Sequence, residues 1–200
     1  MPRPRSYVRD DVIDAAKETF WTKGYASTGV STLEKTTGCS RSSLYLEFGS
    51  KDRLFEVALA RYVDSFIDPL LRPMEVPGSG LVAIGDFFAN LKAVFLEAPS
   101  TARRGCLMVN SIAELAGRKR GLGRQGASYV DRLQGAFTAS LLAAPAPADV
   151  AETAIAQRAH MLTAYTLGIW LSARIDARRA ASLCDAIISE IESWRSPTPA

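Results

Sequence analysis

Four side chains with hydrogen-bonding groups lie close together in the first quarter of the sequence: Arg41, Ser42, Ser43 and Tyr45. Arginine can form two parallel hydrogen bonds with a guanine edge, and small hydroxyl side chains can approach base edges or phosphates. A tyrosine hydroxyl can donate to a phosphate oxygen. Leu44 and Phe48 follow an i, i+4 spacing, which predicts a short helix with one apolar face. A helix that begins with such polar residues can read bases in the DNA major groove.

Further groups suited to phosphate binding flank this segment. Lys51 lies at the predicted start of the next helix, whose first N–H groups attract anions. Arg3 and Arg5 precede the first predicted helix, where they can contact DNA as an arm or form a solvated tail. For a basic run between residues 103 and 124 a solvated loop is the favoured interpretation, and residues 117–126 are predicted to form a basic Gly-rich loop. The run could instead pair with a nearby acidic helix or extend the positive surface that faces DNA.

The polar residues need supporting elements. Thr28 is predicted to cap a short helix that carries Val30 and Leu33 and ends at Gly38, and Ser40 is predicted to cap the helix that follows. Helices this short do not persist alone, so they must pack on longer ones before Gly24 and after Ser50. Glycine permits a sharp turn between them. The pattern therefore predicts a helix-turn-helix.

Helical periodicity continues to the end of the chain, and no strand-like alternation is found. We predict an all-α fold of about nine helices, with an N-terminal helix-turn-helix domain over residues 1–54 and an effector and dimerisation domain over residues 55–200. Long helices are predicted at residues 81–96, 101–115, 128–142, 149–174 and 177–194. The last two are apolar on more than one face, which predicts a homodimer that buries them in a four-helix interface.

Composition excludes several other classes of protein. The 200 residues carry 24 Lys+Arg against 21 Asp+Glu, so bulk charge alone does not identify a nucleic-acid-binding protein. Three widely spaced cysteines fit neither a disulfide framework nor a zinc site. The single histidine and the lack of a phosphate-binding loop or nucleophile motif disfavour an enzyme. With no apolar run long enough for a membrane span and no signal sequence, we expect a cytoplasmic protein without membrane, metal or cofactor.

Residues 8–56 resemble the DNA-binding domain of the tetracycline-repressor (TetR) family. The resemblance rests on four motifs: Gly24-Tyr25, Thr28-Gly29-Val30, Thr37-Gly38-Cys39-Ser40, and the run from Ser43 to Phe55. It implies a homodimeric repressor whose C-terminal domain binds a small hydrophobic or amphipathic effector and then releases double-stranded operator DNA. It also implies DNA contacts at the matching positions, which are Thr28, Arg41, Ser42, Ser43, Tyr45 and Lys51.

Two acids depart from the family pattern. Glu34 replaces a small alanine in the first short helix, and Glu47 replaces a His or Tyr before Phe48. Because phosphate repels an acid, Glu47 is expected to face away from DNA or to accept from a cytosine amine. Downstream, the residues from Arg104 to Asn110, together with Glu114, resemble a Gly-Cys-Leu-x-x-Asn-x-x-x-Glu element of one subgroup.

The effector pocket is predicted from aromatic and apolar residues of the second half, supplemented by a few polar groups. Most such residues must form ordinary core, yet pockets in helical bundles are lined by the same types. The candidates are Phe87, Phe88, Leu91, Phe95, Met108, Asn110, Tyr129, Phe137, Met161 and Tyr165.

Two alternatives to an effector-released repressor stay open. Cys106 follows Arg103 and Arg104, which can lower a thiol pKa, so a redox-responsive regulator of the same family is possible, although an inert buried thiol is favoured. A DNA-binding protein without an effector is the other. A fully packed C-terminal domain would favour it, and an apolar cavity would oppose it.

Overall fold

The computed structural model describes residues 7–115, 120–144 and 152–195. Arg3 and Arg5 therefore lie outside the described residues. The described part is all-α, as predicted, and contains no strand. Its α-helices are α1 (Arg9–Lys23), α2 (Val30–Thr37), α3 (Arg41–Phe48), α4 (Lys51–Tyr62), α5 (Asp68–Glu75), α6 (Gly80–Glu97), α7 (Pro99–Arg104), α8 (Leu107–Leu115), α9 (Arg120–Ala143), α10 (Glu152–Ala173) and α11 (Ala177–Ser193).

The N-terminal unit forms because α1 and α4 bury apolar faces against each other and against the two short helices. Phe20 and Phe55 meet edge to face at 4.8 Å between ring centroids, and Leu33, Leu44 and Phe48 are buried beneath them. Each of these side chains removes apolar surface from water, worth about 1.5–3 kcal/mol when complete. The short helices α2 and α3 are thus held by tertiary packing, as their length requires.

Helix α4 does not end in a loop. It passes through a π-helical segment (Val63–Ile67) directly into α5. Pro69 lies in the first turn of α5, where its missing N–H costs little. The helix-turn-helix is therefore joined to the second half of the chain without an intervening loop.

The C-terminal domain packs α6 against α11 and α9, with α10 alongside α9 and α11. Its centre is a cluster of aromatic rings, in which Phe87 and Phe137 meet edge to face at 5.5 Å and Phe95 meets Trp170 at 5.0 Å. The predicted helix at residues 101–115 is divided into α7 and α8 by Gly105, whose φ of 70° is readily adopted only by glycine.

The loop predicted at residues 117–126 is wrong for residues 120–126, which begin α9; residues 116–119 lie outside the described part. Two of the glycines, Gly121 and Gly126, allow close packing within the helix instead of forming a turn. A Cβ on Gly126 would lie 2.7 Å from Cγ1 of Ile112, and one on Gly121 would lie 3.2 Å from Glu56. In the described residues, no helix is long and apolar enough to cross a membrane.

Candidate nucleic-acid interface and its attachment to the C-terminal domain

The start of α3 is fixed by two acceptors within the protein. The Ser40 hydroxyl accepts from the Ser43 N–H at 3.2 Å, as the sequence predicted for a cap. Oε1 of Glu34 accepts from the Arg41 N–H at 2.7 Å. A carboxylate at a helix N-terminus is favoured by the helix dipole. The acid that departs from the family pattern therefore ties α2 to α3 and sets the angle between them.

One face of α3 is open to solvent. Arg41, Ser42 and Tyr45 are exposed, and the Arg41 guanidinium lies 5.7 Å from the centroid of the Tyr45 ring. Ser43 is half-buried, and its hydroxyl lies 2.9 Å from that of Ser40. Leu46, which sequence reasoning missed, is 89% exposed on the same face. Leu46 lies four residues after Ser42, so helical spacing places both on the same face of α3, and this signal in the sequence predicts the exposure of Leu46.

Glu47 turns away from this face. Its carboxylate accepts from Nε of Arg9 at 3.0 Å and from the Tyr7 hydroxyl at 3.3 Å. The Arg9 guanidinium also lies 5.5 Å from the centroid of the Phe48 ring. The first of the two interpretations of Glu47 fits this geometry, since the acid links the last turn of α3 to the start of α1.

Thr28 is placed differently from the prediction. It is fully buried, and its hydroxyl donates to the Gly24 carbonyl at 2.6 Å. Gly29, not Thr28, is the N-cap residue of α2, and no side chain caps that helix. A hydroxyl buried in its own loop cannot reach DNA, so Thr28 supports the α1–α2 loop and leaves the set of candidate contacts.

Lys51 lies beneath the same loop. Its Nζ donates to the carbonyls of Tyr25 and Thr28, both at 2.9 Å, and lies 3.9 Å from the centroid of the Tyr25 ring. The Tyr25 hydroxyl in turn donates to Asp52. The ammonium group predicted to bind phosphate thus binds the loop between α1 and α2.

The opposite side of the loop is held by the C-terminal domain. Glu114 of α8 accepts two backbone hydrogen bonds, from the Tyr25 N–H at 3.0 Å and from the Ala26 N–H at 2.7 Å. A Cβ on Gly24 would lie only 3.1 Å from this carboxylate. We call the contact between Glu114 and the N–H groups of Tyr25 and Ala26 the loop latch.

A second connection lies one turn back along α1. The Trp21 indole donates to the Gly105 carbonyl at 2.7 Å, and the Arg104 guanidinium stacks 3.8 Å from the Trp21 ring centroid. Arg104 also pairs with Glu18 at 2.5 Å. Asn110 fixes this turn, because its Nδ2 donates to the Arg104 carbonyl at 2.7 Å. Residues of the subgroup element thus take part in each of these two sets of contacts.

The predicted pocket residues do not line one cavity. Phe87, Phe88, Leu91, Phe95 and Phe137 are all buried in the core. The rings of Phe87, Phe88 and Phe137 pack together between α6 and α9, and Phe95 packs on Trp170 of α10. Asn110 belongs to the interdomain connection. Met161 and Tyr165 are about 40% exposed on the outer face of α10. Residue type alone does not distinguish a filled core from a cavity.

Met108 and Tyr129 do share a cavity, of about 280 Å³, between α4, the π-helical segment, α8 and α9. Its apolar side is formed by Leu59, Val63 and Ile67 together with Met108. Its polar groups include Gln125, whose Oε1 is buried without a hydrogen-bond partner in the described part of the chain. A buried acceptor without a partner costs about 1–3 kcal/mol, which a ligand with a donor would recover.

Charge at the edge of this cavity is largely compensated. Arg132 pairs with Glu75 at 2.6 Å and with Asp68 at 2.5 Å. Through its hydrogen bond, the guanidinium lowers the pKa of the Asp68 carboxyl below its ordinary value. Asp64 also borders the cavity and is exposed. The cavity can therefore accept an apolar body with a polar end.

Cys106 lies inside the protein and is fully buried. Burial raises the pKa of its thiol, because the charged thiolate is poorly solvated there. Arg104, expected to lower it, is directed to Glu18 and Trp21. No cluster of metal-ligating side chains occurs within residues 7–115, 120–144 and 152–195.

Comparisons with known proteins agree with this arrangement. Residues 12–58 match the sequence profile described as bacterial regulatory proteins, tetR family. The transcriptional repressor ComR of Escherichia coli is 32% identical over 115 residues, which cover 57% of this chain and 54% of ComR, so the match spans about half of that relative. The transcriptional regulator YezE of Bacillus subtilis is 28% identical over 179 residues, covering 88% of this chain and 91% of YezE.

The fold is also that of solved regulators. A cysteine mutant of the TetR family transcriptional regulator CifR, complexed with a 26-base-pair double-strand operator DNA, superposes with a TM-score of 0.74 at 19% identity and covers 94% of this chain and 98% of CifR. The matched segment, the relatives and the fold are consistent with one another. Residues 12–58 match the DNA-binding segment of the TetR family of bacterial regulatory proteins, and the described residues share the fold of solved TetR family regulators.

Proposed function

We propose that the protein is a homodimeric transcriptional repressor that reads double-stranded operator DNA through α3 and is released by a small effector. The observation that carries the proposal is the open face of α3, where Arg41, Ser42, Tyr45 and Leu46 project into solvent from a helix whose start is fixed by Glu34. Arg41 is the candidate for a bidentate contact with guanine. Leu46 is the candidate for an apolar contact with a thymine methyl group.

Dimerisation is supported by the outer face of α10 and α11. Met161, Tyr165 and Leu183 are between 39% and 41% exposed there, along a groove of about 630 Å³ between the two helices. Clustered apolar side chains of this kind mark a protein partner surface. We assign the face to a second copy of the chain, because one α3 offers few base contacts and two related α3 helices would read successive major grooves about 34 Å apart.

Effector binding is assigned to the cavity lined by Met108 and Tyr129. The ligand that fits is small and largely apolar, with a hydrogen-bond donor for Oε1 of Gln125. Both α4 and α8 border the cavity, and both also contact the α1–α2 loop. A ligand that favours another spacing of these helices would shift the population of dimers away from the one that binds operator DNA.

The cavity opposes the alternative of a DNA-binding protein without an effector. Burial of Cys106 and the raised pKa of its thiol oppose the redox-responsive alternative, since the thiolate is the reactive form. No enzymatic role is proposed.

The test is a mobility-shift titration with DNA from upstream of the protein's own gene. Arg41→Ala should weaken binding to this DNA by about 1–3 kcal/mol and relax the base preference at one position of each half-site. The control is Lys35→Ala, because Lys35 is an exposed cation on α2 whose loss changes net charge equally. Equal binding by Arg41→Ala and wild type would remove Arg41 from the base contacts. No sequence preference in the wild type would refute the proposed function.

A further inference from the structure

The α1–α2 loop is held from both sides by groups of opposite charge. The Glu114 carboxylate of α8 binds the N–H groups of Tyr25 and Ala26, and the Lys51 ammonium binds the carbonyls of Tyr25 and Thr28. Hydrogen bonds to ionised groups are roughly twice as strong as neutral ones. The loop is therefore a fixed joint, and its position depends on a residue of the C-terminal domain.

This joint determines where α2 begins. Gly29 caps α2 three residues after Ala26, and the Thr28 hydroxyl closes the loop onto the Gly24 carbonyl. Glu34 of α2 then holds the first N–H of α3. A continuous series of hydrogen bonds thus runs from Glu114 through the loop and α2 to the start of the candidate reading helix.

We infer that Glu114 is a positioning residue for DNA recognition, which fixes the orientation of α3 relative to the C-terminal domain. The inference rests on the proposed function and adds to it. Reading an operator requires the two α3 helices of a dimer to keep one mutual orientation, and the dimer face lies in the C-terminal domain. Non-specific binding depends on phosphate contacts and does not need that register.

Glu114→Gln tests this role with little change of shape. The amide keeps one acceptor oxygen but replaces the other with a donor, so one of the two loop hydrogen bonds is lost. We expect operator affinity to fall on the order of tenfold, the equivalent of one charge-assisted hydrogen bond, while affinity for scrambled DNA of equal length stays within about twofold. Glu97→Gln is the matched control, because Glu97 is exposed and gives the same charge change.

Amide hydrogen exchange provides a readout that is independent of DNA. In Glu114→Gln, the amides of Tyr25 and Ala26 should exchange faster than in the wild type, while those in the middle of α1 stay protected. Faster exchange at these two amides with unchanged operator affinity would overturn the positioning role. Equal losses of operator and scrambled-DNA affinity would overturn it as well.

The failure of the proposed function is a separate outcome. A wild type without preference for any DNA sequence refutes the proposed function and this inference with it. A wild type that discriminates, and a Glu114→Gln variant that discriminates equally well, refutes the role of Glu114 alone.

Discussion

Replacing Lys51 with methionine should destabilise the protein, although the sequence alone predicts a phosphate contact at this position. Its Nζ makes two hydrogen bonds of 2.9 Å to backbone carbonyls and a cation–π contact of 3.9 Å with Tyr25. A hydrogen bond to a charged group contributes about 1.5–3 kcal/mol, and a partly exposed cation–π contact about 0.5–1 kcal/mol. Because Lys51 is only half-buried, water can replace part of these interactions in the variant. We therefore expect the free energy of unfolding to fall by about 2–3 kcal/mol.

The assay is urea unfolding followed by helical circular dichroism. In a chain of this size, the expected loss corresponds to a melting temperature lower by about 4–12 °C. Lys35→Met is the matched control, because it removes an exposed lysine of α2 and should stay within about 0.5 kcal/mol of wild type. A Lys51→Met protein as stable as this control would show that the loop does not depend on the ammonium group.

The same variant separates the two roles of Lys51 in DNA binding. A lysine that neutralises one phosphate contributes about 0.9 to the slope of log affinity against log salt concentration. If Lys51 serves the loop, Lys51→Met should weaken DNA binding without changing that slope. A slope reduced by nearly one unit would assign Lys51 to phosphate binding after all.

Three further predictions concern Leu46, Asp68 and Cys106. Leu46→Ala should weaken operator binding about fourfold, the value of one buried methyl group, and replacing the contacted thymine with uracil should abolish the difference between variant and wild type in a mobility-shift assay. Since Arg132 lowers the pKa of Asp68, ionised Asp68 stabilises the fold above the ordinary aspartate pKa, and this stabilisation is lost as pH falls through the lowered pKa. Asp68→Asn should therefore make the free energy of unfolding in urea depend less on pH in the acid range. An unchanged pH dependence would contradict the ion pair. Cys106 should react with a thiol reagent only after unfolding, and rapid labelling of the native protein, located by mass spectrometry, would restore the redox alternative.

Local signals account for what the sequence predicted well. The Ser40 cap is confirmed, because it depends only on a side chain and an N–H three residues away. The burial of Leu44 and Phe48 follows from their helical spacing. The all-α class and the helix-turn-helix come from the same short-range patterns.

Contacts between distant residues could not be predicted in this way. In the loop latch, Glu114 lies 89 positions after Tyr25 and 88 positions after Ala26 in the sequence. No periodicity indicates that Glu114 faces the α1–α2 loop. The Gly-rich run at residues 120–126 is helical, and Gly121 and Gly126 lie where neighbouring side chains approach α9 closely, a contact that only the tertiary structure shows. The aromatic set failed as a pocket prediction for the same reason, since packing alone decides which rings leave space.

The π-helical segment at Val63–Ile67 changes the direction in which side chains leave the continuous helix from Lys51 to Glu75. A π turn holds one residue more than the α turns on either side, and each α residue advances about 100° around the axis. Side chains before and after the segment therefore point in directions that an uninterrupted helix would not give them. The face of α4 that packs on α1 and the face of α5 that packs on α9 therefore do not have to follow one straight stripe along the helix. The extra residue of the π turn rotates one face relative to the other around the helix axis.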